Sequence, residues 1–266
     1  GKVAVVPPSC NAEQLVRLMD IYWRLHRPSV VFSITGGAQR LELPEGKELA
    51  LMQGLLSAAQ VSGAALITAG TDAGMSQLLG QTLRESRHMS VPLIGIVSFG
   101  AVLGHDALQD QLQLSTGSLR TSEATQEEGL QLLRRGGGRT VRYMAPGPNT
   151  PDGAALEPNH THFVLVNDGT EGRRAWGAEV ELRVAINDAL KRRFAMASVL
   201  VVVQGGVGTL RTVKASMASG QPLVVVGNSG GVADVLVAWK RQAEGLEALD
   251  EPPASPPLDM DAVRRL

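Results

Sequence analysis

The stretch Val199-Leu-Val-Val-Val-Gln-Gly-Gly-Val-Gly-Thr-Leu210 decides how the rest of the chain is read. A short apolar run rich in valine, closed by glycines, reads as a strand buried on both faces, as in a parallel sheet. Gly205, Gly206 and Gly208 let the backbone turn sharply and come close to a ligand. The residues from Thr209 to Ser219 are predicted to be helical. A strand, a glycine turn and a helix N-terminus together form an anion site, where free N–H groups and the positive end of the helix dipole face outward. The same residues also suit a plain strand-to-helix turn with nothing bound, so this stretch leaves both readings open.

Outward from it, the pattern repeats. Val30 to Ile34 runs into Thr35-Gly36-Gly37-Ala38, and Ala64 to Thr68 runs into Gly70-Thr71-Asp72-Ala73-Gly74. Pro92 to Ser98 ends at Phe99-Gly100, and His162 to Val166 runs into Asn167-Asp168-Gly169-Thr170. Pro222 to Val226 runs into Gly227-Asn228-Ser229-Gly230-Gly231. Lys2 to Val6, stopped by Pro7-Pro8, suits an edge strand. Helices are predicted from an Asn11 cap through His26, over 45–60 with Leu49, Met52, Leu55, Leu56 and Ala59 inward, and from Gly74 to Ser86. Two more cover 178–193, with Val180, Val184, Ile186 and Leu190 inward, and 232–242. Strands alternating with helices imply a doubly wound α/β fold on a mainly parallel sheet. Ligands of such sheets sit beyond the carboxyl ends of the strands, at a switch point in strand order. Five strand ends rich in Gly, Thr, Asn and Asp are therefore expected to share one crevice, with Gln204 included. Ordinary tight turns account for about two of them.

Residues 101–161 break the rhythm, with Gly136-Gly137-Gly138, Pro146-Gly147-Pro148 and one helix-like patch at 126–135. They read as an insertion or lid in a single domain over 1–248, followed by a Pro-rich tail at 249–266. Gly1 in place of an initiating methionine suggests a piece cut from a longer protein.

The chain has 266 residues, 44% hydrophobic and 19% charged, which is enough to bury a large core. Aromatics are only 3%, so Val, Leu, Ile and Ala must build that core. A net charge of −1 argues against a nucleic-acid polymer or an anionic membrane as partner. One cysteine, Cys10, excludes an internal disulfide and a Cys-based zinc site. No apolar run reaches the ~20 residues that a spanning helix needs, and no signal peptide is visible. The dinucleotide fingerprint G-x-G-x-x-G fails because Arg211 holds its third glycine position. There is no P-loop and no G-x-S-x-G elbow. His160 and His162, if on one strand, point to opposite faces and cannot share an ion. A hydrogen-bonded pair is the plainer reading, so no metal site and no catalytic residue is assigned. Asp72 and Asp168 suit ribose hydroxyls or helix caps. Arg183 suits either an i, i+4 pair with Glu179 or a phosphate.

Four segments resemble the SLOG superfamily, in the branch found at the cytosolic N-terminus of TRPM (melastatin-type) cation channels and in prokaryotic relatives. They are Phe32-Ser-Ile-Thr-Gly-Gly-Ala38; Ala58-Ala-Gln-Val-Ser-Gly-Ala64 with Ile67-Thr-Ala-Gly-Thr-Asp-Ala-Gly74; Asn159-His-Thr-His-Phe-Val-Leu-Val-Asn-Asp-Gly-Thr170; and Val203-Gln-Gly-Gly-Val-Gly-Thr209 through Gly230-Gly-Val-Ala-Asp234. The resemblance implies a Rossmann-like, SLOG-type fold. It also implies a ligand sensor that holds a nucleotide or ADP-ribose-like molecule at the strand-end turns, with Arg183 matching an arginine of the helix after the Asp-Gly turn. Such a domain would sit on the cytoplasmic side and regulate a larger, TRPM-like channel. Its expected partners are that nucleotide and further domains or channel subunits, with a homo-oligomer left open. Another SLOG branch, the lonely-guy phosphoribohydrolases, carries Pro-Gly-Gly-x-Gly-Thr-x-x-Glu. Here Gln204 replaces that proline and Thr212 replaces the glutamate, which argues against the same chemistry. A third reading is an assembly domain that binds no small molecule.

Overall fold

A computed structural model describes residues 2–25, 27–37, 43, 46–86, 91–113 and 142–245. Its strands are β1 (Lys2–Val6), β2 (Val30–Gly36), β3 (Ala65–Thr68), β4 (Leu93–Ser98), β5 (His162–Val166), β6 (Ala197–Val203) and β7 (Leu223–Val226). Its helices, numbered among the described residues, are α1 (Ala12–Ile21), α2 (Lys47–Ser62), α3 (Gly74–Glu85), α4 (His105–Gln113), α5 (Val180–Phe194), α6 (Val207–Ala218) and α7 (Gly231–Ala243). The strands form one sheet in the order β1-β5-β4-β3-β2-β6-β7. Every pairing is parallel, so all strand ends leave the sheet along one edge.

Burial on both faces explains why the strands read as unbroken apolar runs rather than alternating ones. All six residues of β4 are buried. On one face Val31, Ile67, Ile96 and Val164 pack against Leu15 and Met19 of α1 and Leu182 and Ile186 of α5. On the same side Leu200 and Val202 meet Val213 of α6 and Ala233 of α7. On the opposite face Ile34, Leu66, Leu93 and Val203 meet Met52 and Leu56 of α2 and Leu79 of α3. Val97 and Leu165 pack there with Leu108 of α4. From β2 the chain adds β3, β4 and β5 on one side, then returns to place β6 and β7 on the other. The reversal lies between β2 and β6, which run alongside each other from Val30↔Ala197 to Gly36↔Val203.

Two local expectations need correction. The helix capped by Asn11, whose Oδ1 accepts from Glu13 and Gln14 N–H groups, ends at Ile21 rather than His26. Arg24 takes a left-handed φ of 52°, and Trp23 and Leu25 fold back into the core. Leu49, expected inward, is 53% exposed, and the inner stripe of α2 is Met52, Leu56 and Ala59. The described parts of the 101–161 stretch are built into the fold: Val102, Leu108, Ala154 and Leu156 are buried. The helix-like patch at 126–135 and the tail at 249–266 lie outside the described residues, as does Ala38. No helix among the described residues is long and apolar enough to cross a membrane.

Candidate functional site

The switch point is bounded by the end of β2 and by the turn after β6. Gln204 (φ 57°) and Gly205 (φ 98°) reverse the chain, and Gly206 (φ −120°) leads into α6. The contacts there are too close for larger residues. A Cβ at Gly36 would stand 2.6 Å from both Met75 Cγ and the Val203 carbonyl oxygen, and one at Gly37 would overlap the Gln204 amide oxygen. Thr209 Oγ1 donates to the Gly36 carbonyl at 3.2 Å and so ties the first turn of α6 to the end of β2. Thr35 and Thr209 are buried beside this junction. Positions 206 and 208, by contrast, face open space: a Cβ at either would meet nothing within 4 Å.

Helix ends divide the turns into two kinds. Neither Gly206 before α6 nor Ala73 before α3 supplies a side-chain cap. Both helices therefore begin with N–H groups that no side chain among the described residues caps, on opposite faces of the sheet and beside β2. The start of α7 is different. Val232 N–H donates to the Gly205 carbonyl at 2.9 Å and Ala233 N–H to the Gln204 carbonyl at 3.1 Å. Ser229 and Gly230 N–H groups donate to the Asp234 carboxylate at 3.2 and 3.0 Å. Ser229 Oγ in turn accepts from Gln204 N–H at 2.8 Å and donates to the Val226 carbonyl at 2.6 Å. The Gly227–Gly231 turn thus braces the Gln204–Thr209 turn, and its own donors already face a carboxylate.

The remaining expected residues are placed as follows. Gly70, Thr71, Asp72 and Gly74 form the turn between β3 and α3. Asp72 does not cap α3, whose N-cap residue is Ala73; its N–H donates to the Ala155 carbonyl at 2.8 Å. Asp168, Gly169 and Thr170 follow β5, three strands from β2 in the sheet order. Asp168 Oδ1 accepts from both Thr170 N–H (2.9 Å) and Thr170 Oγ1 (2.7 Å), and these bonds lower its pKa from 3.8. Arg183 is buried, with Nη2 donating to the Ile96 carbonyl at 2.9 Å. Its i, i+4 approach to Glu179 is long, 4.0 Å. Burial pushes the guanidinium pKa below its ordinary value, and the Glu179 charge opposes that shift. Glu179 itself accepts from Ser98 Oγ and from Gly177 N–H. Thr212 is buried and donates to the Gly208 carbonyl at 3.2 Å.

Several residues at the rim or beneath it escaped the sequence reading. The segment after Thr170 carries exposed Trp176, and a Cβ at Gly177 would lie 3.7 Å from Arg211 Nη1, so this segment reaches the first turns of α6. Glu157, 1% exposed, accepts from His160 Nδ1 at 2.7 Å, while His160 Nε2 lies 2.7 Å from Thr68 Oγ1. A carboxylate only accepts, so Nδ1 is the donor and Nε2 takes the Thr68 hydroxyl proton. Thr68 Oγ1 also accepts from Gly70 N–H, which fixes the β3 turn. The plain reading of His160 holds: it is a hydrogen-bonded core residue. The i, i+3 spacing of Glu157 and His160 was the available signal.

Comparison with known proteins gives a consistent picture. A family model described as SLOG in TRPM matches residues 5–135, and its prokaryotic counterpart, SLOG in TRPM, prokaryote, matches residues 137–262. The chain is 30% identical over 250 residues to transient receptor potential cation channel subfamily M member 2 of Rattus norvegicus, covering 89% of this chain and 15% of that protein. It is 30% identical over 241 residues to the subfamily M member-like 2 channel of Nematostella vectensis, covering 85% of this chain and 14% of that one. It is 26% identical over 255 residues to subfamily M member 5 of Homo sapiens, covering 91% and 20%. The chain therefore spans only a small part of these relatives. With a parallel Rossmann-like sheet, glycine turns along its carboxyl edge and matching family models over nearly its whole length, the chain belongs to the SLOG family, in the branch found in TRPM proteins.

Proposed function

We propose that this domain is a ligand sensor that binds a nucleotide or ADP-ribose-like molecule with its phosphates on the Gly205–Thr209 turn. The observation that carries this reading is the start of α6 at the β2/β6 reversal, where open space meets helix N–H groups that no side chain among the described residues caps. Anions are favoured at such a terminus by ~0.3–1 kcal/mol or more before any direct hydrogen bond is counted. The start of α3 adds a second positive helix end beside β2. Gly227, Ser229 and Gly230 then act through Gln204 rather than on the phosphate. Thr35, Gly36 and Gly37 form the opposite wall, and Thr71, Asp72 and the Asp168–Thr170 turn lie along the route to the sugar end. As part of a longer protein related to TRPM channels, the domain would sit on the cytoplasmic side and transmit ligand occupancy to neighbouring domains or subunits.

Hydrolysis of the lonely-guy kind is disfavoured by chemistry at one position. Thr212 is neither ionisable nor exposed, and its hydroxyl is spent on the Gly208 carbonyl. Thermal shift with ADP-ribose, NAD and nucleoside monophosphates, followed by chromatography of the mixtures, tests the reading. A ligand at 100 times its Kd should add ~2.7 kcal/mol of stability with no product formed. Released base makes the domain an enzyme. No shift with any of them makes it an assembly domain. Gly206→Asp should remove the shift through like charge and leave the Tm of the free domain within a few degrees, because the position is open and its φ is ordinary.

A further inference from the structure

Among the described residues, one cluster of ligating side chains lies outside the turn described above. His105, the first residue of α4, together with Asp106 and Glu171 brings a ring nitrogen and carboxylate oxygens within 4.8 Å of one another. His105 Nδ1 lies 2.9 Å from the Val102 carbonyl oxygen. A carbonyl only accepts, so Nδ1 carries the proton and Nε2 of the neutral ring keeps its lone pair. Phe99 holds the ring edge-on, with centroids 5.6 Å apart. Nε2 stands 3.3 Å from Asp106 Oδ1 and 3.9 Å from Glu171 Oε1. It is shielded from solvent and makes no hydrogen bond. A shielded lone pair facing two carboxylates is repulsive unless a cation stands between them.

We propose that His105, Asp106 and Glu171 form a divalent metal site of the zinc class. One imidazole and two carboxylates suit a borderline ion, whereas magnesium and calcium favour all-oxygen shells. The Val102 carbonyl on the far ring nitrogen is the supporting contact that metal-bound histidines have. Bonds of ~2.0–2.2 Å place two ligand atoms at most ~4.4 Å apart, and the exposed Asp106 and Glu171 side chains are free to close the remaining gap. The site joins two separate parts of the chain. Glu171 follows the Asp168–Thr170 turn, and a Cβ at Gly100 would overlap the Thr170 carbonyl oxygen. A bound ion would clasp the root of α4, where the long insertion leaves the sheet, to that turn.

Zinc, manganese and magnesium chlorides, added singly to the metal-free chain at pH 7.5, test the site by thermal shift and calorimetry. Zinc should bind at one ion per chain and raise the Tm, manganese should act more weakly, and magnesium not at all. Zinc affinity should fall as the pH is lowered, because protons compete with the metal for its ligands. His105→Ala should abolish zinc binding and Glu171→Gln should weaken it at least ~10-fold. Since Glu171 is exposed, the second variant stays folded even if the first does not. Cobalt should give a visible ligand-field absorption that Glu171→Gln weakens. No zinc response, or one unchanged in Glu171→Gln and His105→Ala, overturns the proposal. So does a Tm that tracks pH but ignores zinc, since an imidazolium between two carboxylates then supplies the cation.

Discussion

Gly231 has no room for a side chain. Its φ is 58°, and a Cβ would overlap the Gly205 carbonyl oxygen, which is the acceptor for Val232. Gly231→Ala should therefore cost ~2–4 kcal/mol in urea unfolding, through left-handed strain and displacement of the Gln204–Thr209 turn. Gly54 is the control. It lies inside α2, and a Cβ there would meet nothing within 4 Å. Gly54→Ala should stabilise by ~0.5–1 kcal/mol and leave ligand response intact. In the sequence these two glycines look alike. What separates them is whether a neighbouring backbone occupies the missing side chain's place, and single-residue reasoning carries no information on that. The same gap hid the division of labour among the turn residues: Ser229 and Gly206 read equally as ligand contacts, yet Ser229 is bonded to Gln204 and Val226.

At the scale of elements, the β3 turn and the start of β5 are joined by the Glu157–His160–Thr68 chain of hydrogen bonds. Glu157 also accepts from Asn159 N–H and Nδ2, at 2.9 and 2.6 Å. Glu157→Ala leaves the buried His160 Nδ1 and the half-buried Asn159 donors unpaired and should cost ~3 kcal/mol or more, read by urea unfolding. The first residue of β5 gives a pH signature. Burial, helped by the Lys2 charge, lowers the His162 pKa from 6.5 to about 4. Between those values the unfolded chain binds more protons than the folded one. The stability contribution is complete above pH 6.5 and is lost as the pH falls toward 4. His162→Gln should flatten that part of the pH–stability curve, measured by chemical unfolding at stepped pH. Most elements were legible because buried strands and glycine stops are local signals. The early end of α1 was not, because it depends on Trp23 and Leu25 finding the core, a long-range event.

At the scale of the whole molecule, the parallel doubly wound sheet was readable from alternation alone, but the strand order was not. Order decides which turns share the ligand. The β6 turn lies next to β2, while the β5 turn lies four strand spacings from β6, or ~19 Å at ~4.8 Å per strand. A mononucleotide on the α6 turn should therefore leave the Asp168–Thr170 turn unprotected in amide exchange, and an extended ADP-ribose-like ligand should protect both. Protection of both by AMP would contradict this placement. The sheet order carries one more consequence. Among the described strands β1 pairs with β5 alone, Lys2 beside His162, 160 positions later in the chain. During synthesis β1 thus leaves the ribosome long before its hydrogen-bonding partner exists, and its docking closes a loop longer than half the domain. Such closure is slow. Until β5 emerges, Val3, Val5 and Val6 belong to a strand with no edge to join, and that interval is when a chaperone has most to shield.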